Sequence, residues 1–301
     1  MHSHEHLGVL RREAALETLQ PGDIINRRYQ ILTKIGEGKF GIVFQAKTLK
    51  SDQIVAIKTE DPGSPISLLK NETTILKYLY DQGCRHCPTV YWYGLHLETR
   101  CLVFSFFKIS LYDFLYTKPL DNEKKYHILR TCIEIIESVH THLVIHRDIK
   151  PHNFMIRDGE LFLIDFGLAT FYVDGEGKHI EDVITENLVG TPKYISYNVH
   201  CGHSASRRDD MISLGYMFLF ILNGELPFTS APQSTPLSDN YPATHILHPT
   251  NFQLKDKKSW YMLENLVLTQ KNIHKYLEHC YRLEYEGSPL YGELKKLFVD
   301  E

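Results

Sequence analysis

The residues with the clearest chemical potential form one short run, His146-Arg147-Asp148-Ile149-Lys150-Pro151-His152-Asn153, which follows a long helical pattern. Asp148 can accept or orient the proton of an attacking hydroxyl. Lys150 can neutralise charge on a transferred phosphoryl group, and Asn153 can hold a metal ion. A loop with these residue types in this order by chance is improbable, so the run predicts phosphoryl transfer.

A second aspartate, Asp165, ends the apolar stretch Leu163–Asp165 and is followed by Phe166-Gly167. Magnesium is a hard cation that prefers oxygen ligands, so Asp165 and Asn153 are the predicted Mg²⁺ ligands. A strand that ends in a polar turn is the alternative for Asp165 alone. The order of the other pieces along the chain favours the metal-binding interpretation.

Lys58 closes the apolar run Val55-Ala56-Ile57, and Glu72 follows on a helical stretch. An ion pair between them would hold the lysine ammonium against the α- and β-phosphates of ATP. The alternatives are a solvated strand tip for Lys58 and an ordinary helix-surface charge for Glu72.

Gly36-Glu37-Gly38-Lys39-Phe40-Gly41 lies between two strand candidates. Glycine lets backbone N–H groups approach phosphate oxygens, although a tight β-turn is an equally good interpretation of this run alone. The strand–turn–strand context excludes the dinucleotide-binding fold, in which such glycines lead into a helix.

Hydrophobic patterns predict a small β-rich lobe followed by a larger helical lobe. The strand candidates are Tyr29–Ile35, Ile42–Gln45, Ile54–Lys58, Val90–His96 and Cys101–Phe107. The helix candidates are Ile66–Tyr80, Tyr126–His142 and the uniformly apolar Met211–Leu222. Residues 1–28 are predicted to be an extension with a helix-prone stretch, Leu7–Leu19, and Phe228–Thr250 a long loop.

Taken together, these motifs resemble a eukaryotic-type protein kinase over residues 29–299, and more narrowly the casein kinase 1 family. Gly190–Asn198 replaces the usual Ala-Pro-Glu and is similar to that family's Gly-Thr-Ala-Arg-Tyr-Ala-Ser-Ile-Asn. Ser206-Arg207-Arg208-Asp209-Asp210 with Ser213–Tyr216 matches a family signature, and Leu226-Pro227-Phe228 resembles Leu-Pro-Trp.

The resemblance implies an α+β, bilobal protein kinase fold. Residues 29–108 would form the N-lobe, an antiparallel sheet with one helix and the hinge, and residues 109–301 the mainly helical C-lobe. It also implies an ATP- and Mg²⁺-dependent serine/threonine kinase with Asp148, Lys150, Lys58 and Glu72 in catalytic roles. Asp210 would start the buried helix and bind the backbone of the catalytic loop.

The nucleotide would contact residues of the glycine-rich hairpin, the lysine strand and the hinge. Phe104 would lie at the back of the adenine site, and Phe106 would supply backbone N–H and C=O groups to adenine. The implied nucleotide-binding residues are Ile35, Gly36, Glu37, Gly38, Lys39, Phe40, Gly41, Ile42, Val43, Ala56, Lys58, Phe104 and Phe106.

Three features depart from the family pattern. Glu186 and Lys193 stand where basic residues often bind an anion, and the loop after Phe228 lacks the family's basic run. Both leave open whether substrates must already be phosphorylated. The hinge, Phe104-Ser105-Phe106-Phe107, is bulkier than the family's Met-Glu-Leu-Leu.

Composition narrows the class of partner. The 301 residues carry 33 Lys+Arg and 37 Asp+Glu, a net charge of −4, which gives no overall electrostatic case for binding nucleic acid or an anionic membrane.

The six cysteines are expected to be free thiols. The zinc-like spacing of Cys84 and Cys87 has no second matching pair. We expect an intracellular monomer, cytoplasmic or nuclear, that acts on Ser/Thr-containing protein substrates.

Two other functions are compatible with parts of the pattern. The first is a pseudokinase that serves as a binding module, which the complete set of catalytic residue types disfavours. The second is a kinase for a small molecule or lipid, which the segment Gly190–Asn198 disfavours. The casein kinase 1 resemblance also implies activity without phosphorylation of the segment from Asp165 to Asn198.

Overall fold

A computed structural model describes residues 19–38, 41–60, 67–228 and 244–299. The chain forms two compact units. The first comprises Met1–Lys108 with Ile164–Gly167, and the second comprises Ile109–Leu163 with Leu168–Glu301.

The first unit is built on a six-stranded antiparallel sheet with strand order β1-β2-β3-β4-β6-β5. Its strands are β1 (Ile24–Ile25), β2 (Tyr29–Gly38), β3 (Gly41–Thr48), β4 (Ile54–Glu60), β5 (Val90–His96) and β6 (Thr99–Ser105). One helix, α1 (Leu68–Asp81), lies between β4 and β5 in the chain. The predicted strands and helix are therefore present, with ends that differ by a few residues.

Successive residues of a strand point to opposite faces, and β4 shows this alternation clearly. Val55 and Ile57 belong to one apolar cluster, which also contains Phe44. Ala56 belongs to a second cluster with Leu69 of α1. Lys58 shares the α1-facing side with Ala56, and this places its ammonium against the helix that carries Glu72.

The N-terminal boundary differs from the prediction of an extension through residue 28. Ile24 and Ile25 pair with Gln30 and Tyr29, and Ile25 is completely buried in the sheet's core. An apolar side chain that is removed from water in this way is part of the fold. The predicted helix Leu7–Leu19 lies outside the described residues, apart from Leu19.

The second unit is mainly helical. Its helices are α2 (Leu111–Leu115), α3 (Asn122–Thr141), α4 (Tyr197–His200), α5 (Arg207–Asn223), α6 (Pro249–Lys258), α7 (Trp260–Val267), α8 (Lys271–Arg282) and α9 (Tyr291–Lys296). The apolar face predicted for the long helix is buried at Leu129, Cys132, Ile133, Ile136 and Val139 of α3. Most of α5 is buried all round, as its uniform apolarity predicts.

Two small sheets flank residues 146–153, the predicted catalytic loop. Strands β8 (Val144–Ile145) and β11 (Thr170–Phe171) form one, and β7 (Ile109–Ser110), β9 (Phe154–Arg157) and β10 (Glu160–Leu163) form the other. Residues 146–153 begin directly after β8 and end directly before β9. The loop is thus held at both ends by strands.

The predicted loop Phe228–Thr250 is described only in part, because residues 229–243 lie outside the described ranges. Its last two residues belong to α6, which begins at Pro249, a favourable first helical position for proline. Within the described ranges, every helix is too short or too polar to cross a membrane.

Candidate active site

In the first unit, Lys58 lies between two carboxylates. Its Nζ donates hydrogen bonds to Glu72 Oε2 at 2.8 Å and to Asp165 Oδ1 at 2.7 Å. Glu72 is buried, whereas the Asp165 side chain is about two-fifths exposed at 41%. The structure therefore brings together three residues that are far apart in the chain and were each predicted to belong to the site.

Electrostatics keep Lys58 protonated. Burial by itself would lower the pKa of its ammonium, but the charges and hydrogen bonds of Glu72 and Asp165 outweigh burial and raise that pKa above its ordinary value. Burial raises the pKa of Glu72, against the opposing effect of Lys58. The raised pKa favours the protonated ammonium, which is the form that the predicted contact with phosphate oxygens needs.

A third carboxylate, missed by the sequence reasoning, holds the helix of Glu72. Glu60 is buried, and its Oε1 accepts hydrogen bonds from the backbone N–H groups of Leu68 at 2.7 Å and Leu69 at 3.3 Å. Ser67 Oγ donates to Glu60 Oε2 at 3.1 Å. These bonds satisfy N–H groups in the first turn of α1, where a negative charge is also favourable.

Lys58 and Glu60 are two residues apart on β4, so both side chains lie on the side that faces α1. The same strand therefore contacts the helix at its first turn and at Glu72.

The glycine-rich hairpin joins β2 to β3, with Lys39 and Phe40 outside the described residues. Gly41 has φ +140°, and a Cβ there would lie 1.7 Å from the carbonyl oxygen of Thr59, so only glycine fits. The register places Val43 opposite Lys58 and Glu37 opposite Ile42. Glu37 is exposed and pairs with Lys34.

Other predicted nucleotide contacts occupy nearby strands of the same unit. Ile35, exposed at the surface, and Gly36 lie on β2, with Gly36 opposite Val43.

The two hinge aromatics take different positions. Phe104 is buried on β6 directly opposite Ala56, and it packs in the cluster that contains Leu69. Phe106 is half-buried, follows β6 and packs against the same cluster.

In the second unit, Asp210 at the start of α5 anchors the catalytic loop. Its Oδ2 accepts from the backbone N–H of His146 at 2.7 Å, and its Oδ1 from that of Arg147 at 2.8 Å. His140 Nε2 lies 3.0 Å from Oδ2. Asp210 is fully buried, yet these contacts outweigh burial and lower its pKa, so it remains a carboxylate. The expected contact of Asp210 with the loop backbone is confirmed.

The carboxylate of Asp148 has hydrogen-bond donors on both oxygens. Lys150 Nζ donates to Oδ2 at 2.6 Å, and Asn153 Nδ2 donates to Oδ2 at 3.0 Å and to the Asp148 carbonyl oxygen at 2.8 Å. Thr191 Oγ1 donates to Oδ1 at 2.6 Å and accepts from Lys150 at 2.9 Å. A buried carboxylate fixed in this way can orient a hydroxyl nucleophile.

Thr191 was not assigned a role from the sequence. It lies in the segment that resembles the casein kinase 1 family, but only the folded chain shows that its hydroxyl reaches Asp148. No local sequence signal pairs positions 148 and 191, because their contact depends on how the second unit packs.

The predicted Mg²⁺ ligands have suitable chemistry. Asp165 in the first unit offers carboxylate oxygens, and Asn153 in the second unit offers an amide oxygen while its Nδ2 is bonded to Asp148. Each is an oxygen donor of the kind that Mg²⁺ prefers, so each fits the predicted role by itself.

Comparison with known proteins agrees with this geometry. Residues 29–286 match the family described as "Protein kinase domain", so the chain belongs to that family. The predicted α+β kinase fold is thereby confirmed, together with the antiparallel sheet and the helices of the structure.

Within that family, the chain is similar to "Casein kinase I homolog 1" of Schizosaccharomyces pombe (strain 972 / ATCC 24843). The two are 31% identical over 291 residues, which are 92% of this chain and 61% of the relative. The predicted resemblance to casein kinase 1 is confirmed. The chain spans about three-fifths of the length of this relative.

Proposed function

We propose that the chain is an active serine/threonine protein kinase that transfers the γ-phosphoryl group of ATP to hydroxyls of protein substrates. The observation that carries the proposal is the Asp148 carboxylate, which Lys150, Thr191 and Asn153 orient through hydrogen bonds of 2.6–3.0 Å. The similarity to a casein kinase I homolog supports the choice of a protein acceptor.

The first unit supplies the groups that hold the nucleotide. Lys58, kept cationic by Glu72 and Asp165, would bind the α- and β-phosphates. The hairpin residues Gly36–Gly41 with Ile42 and Val43 would cover the phosphates. Ala56 and Phe104 would contact adenine, which the backbone of Phe106 would bind.

Asp165 and Asn153 would hold Mg²⁺, which supplies charge neutralisation for the phosphates when it is bound. The chain's own contribution is to fix the two ligands. Lys58 bonds one oxygen of Asp165, and the amide group of Asn153 is oriented by Asp148.

The second unit supplies the acceptor chemistry. Asp148 would accept the proton of the Ser or Thr hydroxyl as its oxygen bonds to the γ-phosphorus, and the bond from phosphorus to the ADP oxygen would break. Lys150 would balance negative charge on the transferred group, because its ammonium lies beside Asp148 and Thr191. The products are a phosphoester, ADP and one proton.

A peptide-array phosphorylation assay tests this proposal. Arrays of Ser-, Thr- and Tyr-containing peptides are incubated with γ-labelled ATP and Mg²⁺, with Asp148→Asn as the blank and lipid and small-molecule acceptors in competition. We expect label on Ser and Thr peptides from the wild type only. Label confined to lipid or small-molecule acceptors, or signals equal to the blank, would contradict the proposal.

A further inference from the structure

Lys258 belongs to none of the sequence motifs, yet its side chain is completely buried in the second unit. It is the last residue of α6, and its Nζ donates to the carbonyl oxygens of Pro192 at 2.8 Å and Ile195 at 2.7 Å. His200 Nε2 lies 3.2 Å from the same nitrogen. One lysine thus contacts three points within a short stretch of chain.

Two aromatic rings complete the surroundings of Lys258 Nζ. The ring centre of Tyr216 is 4.9 Å away and that of Phe228 is 5.2 Å away. Burial lowers the pKa of Lys258 well below its ordinary value. The contacts do not depend on the charge, because both an ammonium and a neutral amine have N–H groups for the two carbonyl oxygens.

The segment bound by Lys258 is the one that reaches Asp148. The backbone N–H groups of Tyr194 and Ile195 donate to the Thr191 carbonyl oxygen at 2.8 and 3.0 Å, which closes a turn. The hydroxyl of Thr191 is bonded to Asp148, and two carbonyl groups of the same turn are bonded to Lys258. The turn is therefore held by two partners, Asp148 through the Thr191 hydroxyl and Lys258 through two carbonyl groups.

We propose that Lys258 is a positioning residue for phosphoryl transfer, which holds the turn Thr191–Ile195 so that Thr191 orients Asp148 toward the acceptor hydroxyl. This inference rests on the proposed function. Without the two N–H donors, the carbonyl groups of Pro192 and Ile195 lose buried partners and the turn can shift. Small displacements of positioning groups have large kinetic effects.

Kinetic constants distinguish a positioning role of Lys258 from a purely structural one. Loss of the turn should impair use of the protein acceptor and the chemical step, while the KM for ATP stays unchanged because Lys58, Glu72 and Asp165 are untouched. A lysine that only stabilised the fold would lower the melting temperature without changing the kinetic constants of the folded molecules.

The test compares two variants. Lys258→Met keeps a long side chain but removes the N–H donors, and Lys258→Gln keeps N–H donors. Leu254→Ala is the matched control, since Leu254 is buried on the same helix and is apolar. For each full-length protein, kcat and the KM values for dephosphorylated casein and for ATP are measured per folded molecule. Amide hydrogen exchange of residues 190–198 is measured in parallel.

For Lys258→Met we expect kcat/KM for casein to fall about ten- to hundredfold, an unchanged KM for ATP and faster exchange at Tyr194 and Ile195. Lys258→Gln should recover part of the loss, and Leu254→Ala should behave like the wild type at equal folded fraction. Wild-type constants in Lys258→Met, equal losses in Leu254→Ala, or failure of both Lys258 variants to fold would overturn the inference.

Hydrogen exchange also distinguishes the two proposals. If the wild type labels neither casein nor any Ser or Thr peptide of the array, the proposed function fails. Exchange that is faster in Lys258→Met but not in Leu254→Ala would still support the role of Lys258 in holding the turn, and unchanged exchange would refute it.

Discussion

Two lysine nitrogens in this chain, one half-buried and one completely buried, are held in opposite ways. In the first unit, Lys58 contacts the carboxylates of Glu72 and Asp165, and its pKa is raised. In the second unit, Lys258 contacts backbone carbonyl oxygens and aromatic rings, and its pKa is lowered. The comparison shows that charge pairing favours the cationic form of one lysine, whereas the other lysine is held by neutral backbone and aromatic groups.

The buried or half-buried carboxylates of the chain also have two kinds of partner, side-chain cations and backbone N–H groups. Asp165 and Glu72 pair with a side chain, while Asp210 accepts from the backbone of the catalytic loop. Removing a charge partner should therefore change chemistry first, and removing a backbone anchor should change stability and geometry together. The variants below test this distinction, in order of expected effect.

Lys58→Met should lower kcat/KM by about a hundredfold or more while the protein remains folded, because the phosphate-binding cation is lost. Steady-state kinetics and thermal unfolding measure the two effects. Lys47→Met, which removes a half-buried lysine paired with the exposed Asp52, is the control and should have little effect. Near-wild-type turnover of Lys58→Met would show that the ion pair has no catalytic role.

Asp210→Asn should destabilise the second unit by about 3–5 kcal/mol and reduce activity, because the buried anion that accepts from His146 and Arg147 is lost. Urea unfolding measures the free energy. Asp121→Asn at the exposed start of α3 is the control, since asparagine also caps helices well. Equal stability of the two variants would contradict the proposed anchoring by Asp210.

Glu60→Gln should cost about 1–2 kcal/mol in the free energy of unfolding, because the charged cap of α1 is weakened. We also expect a higher KM for ATP, since α1 carries Glu72. Glu37→Gln, at an exposed residue, should not change stability measurably. A stability loss without any change in the KM for ATP would show that Glu60 stabilises α1 but does not affect nucleotide binding.

The smallest predicted effect concerns pH. Burial, and then Lys258, lower the pKa of His200 to about 2. Between that value and about 6.5, the unfolded chain binds the extra proton, so stability falls as the pH falls. From pH 6.5 to 5.5, this group should remove about 1 kcal/mol from the free energy of unfolding.

His200→Gln should lose this contribution, and His127→Gln, at an exposed position on α3, should keep the wild-type dependence. Chemical denaturation of the three proteins at both pH values measures the difference. The same pH dependence in all three would show that His200 is not held neutral.

Much of the architecture can be predicted from the sequence, because the patterns that indicate helices, strands and motifs each lie within a short stretch of chain. The period of the apolar residues predicts α3, runs of β-forming residues predict β4 to β6, and the run His146–Asn153 predicts a catalytic loop. Lys58 and Asp165 lie in short motifs and Glu72 on the helical stretch after Lys58, and the structure brings their three side chains together.

The supporting contacts could not be predicted, because each joins residues distant in sequence. Thr191 reaches Asp148, Glu60 caps α1 and Lys258 holds the turn only after strands and helices have packed. The pairing of β1 with β2 could not be predicted either, since β1 is only two residues long and its place depends on that pairing.

Transfer of the γ-phosphoryl group to casein, both phosphorylated and dephosphorylated, and to the Ser/Thr peptide array, measured beside Mg·ATP binding for the wild type and Asp148→Asn, tests the catalytic assignment most directly. The wild type should bind Mg·ATP and incorporate phosphate over many turnovers. Asp148→Asn should bind Mg·ATP about equally well, because Asp148 is assigned to the acceptor, yet incorporate almost none. Equal incorporation by the two proteins, or binding without any transfer by the wild type, would contradict an active kinase that uses Asp148.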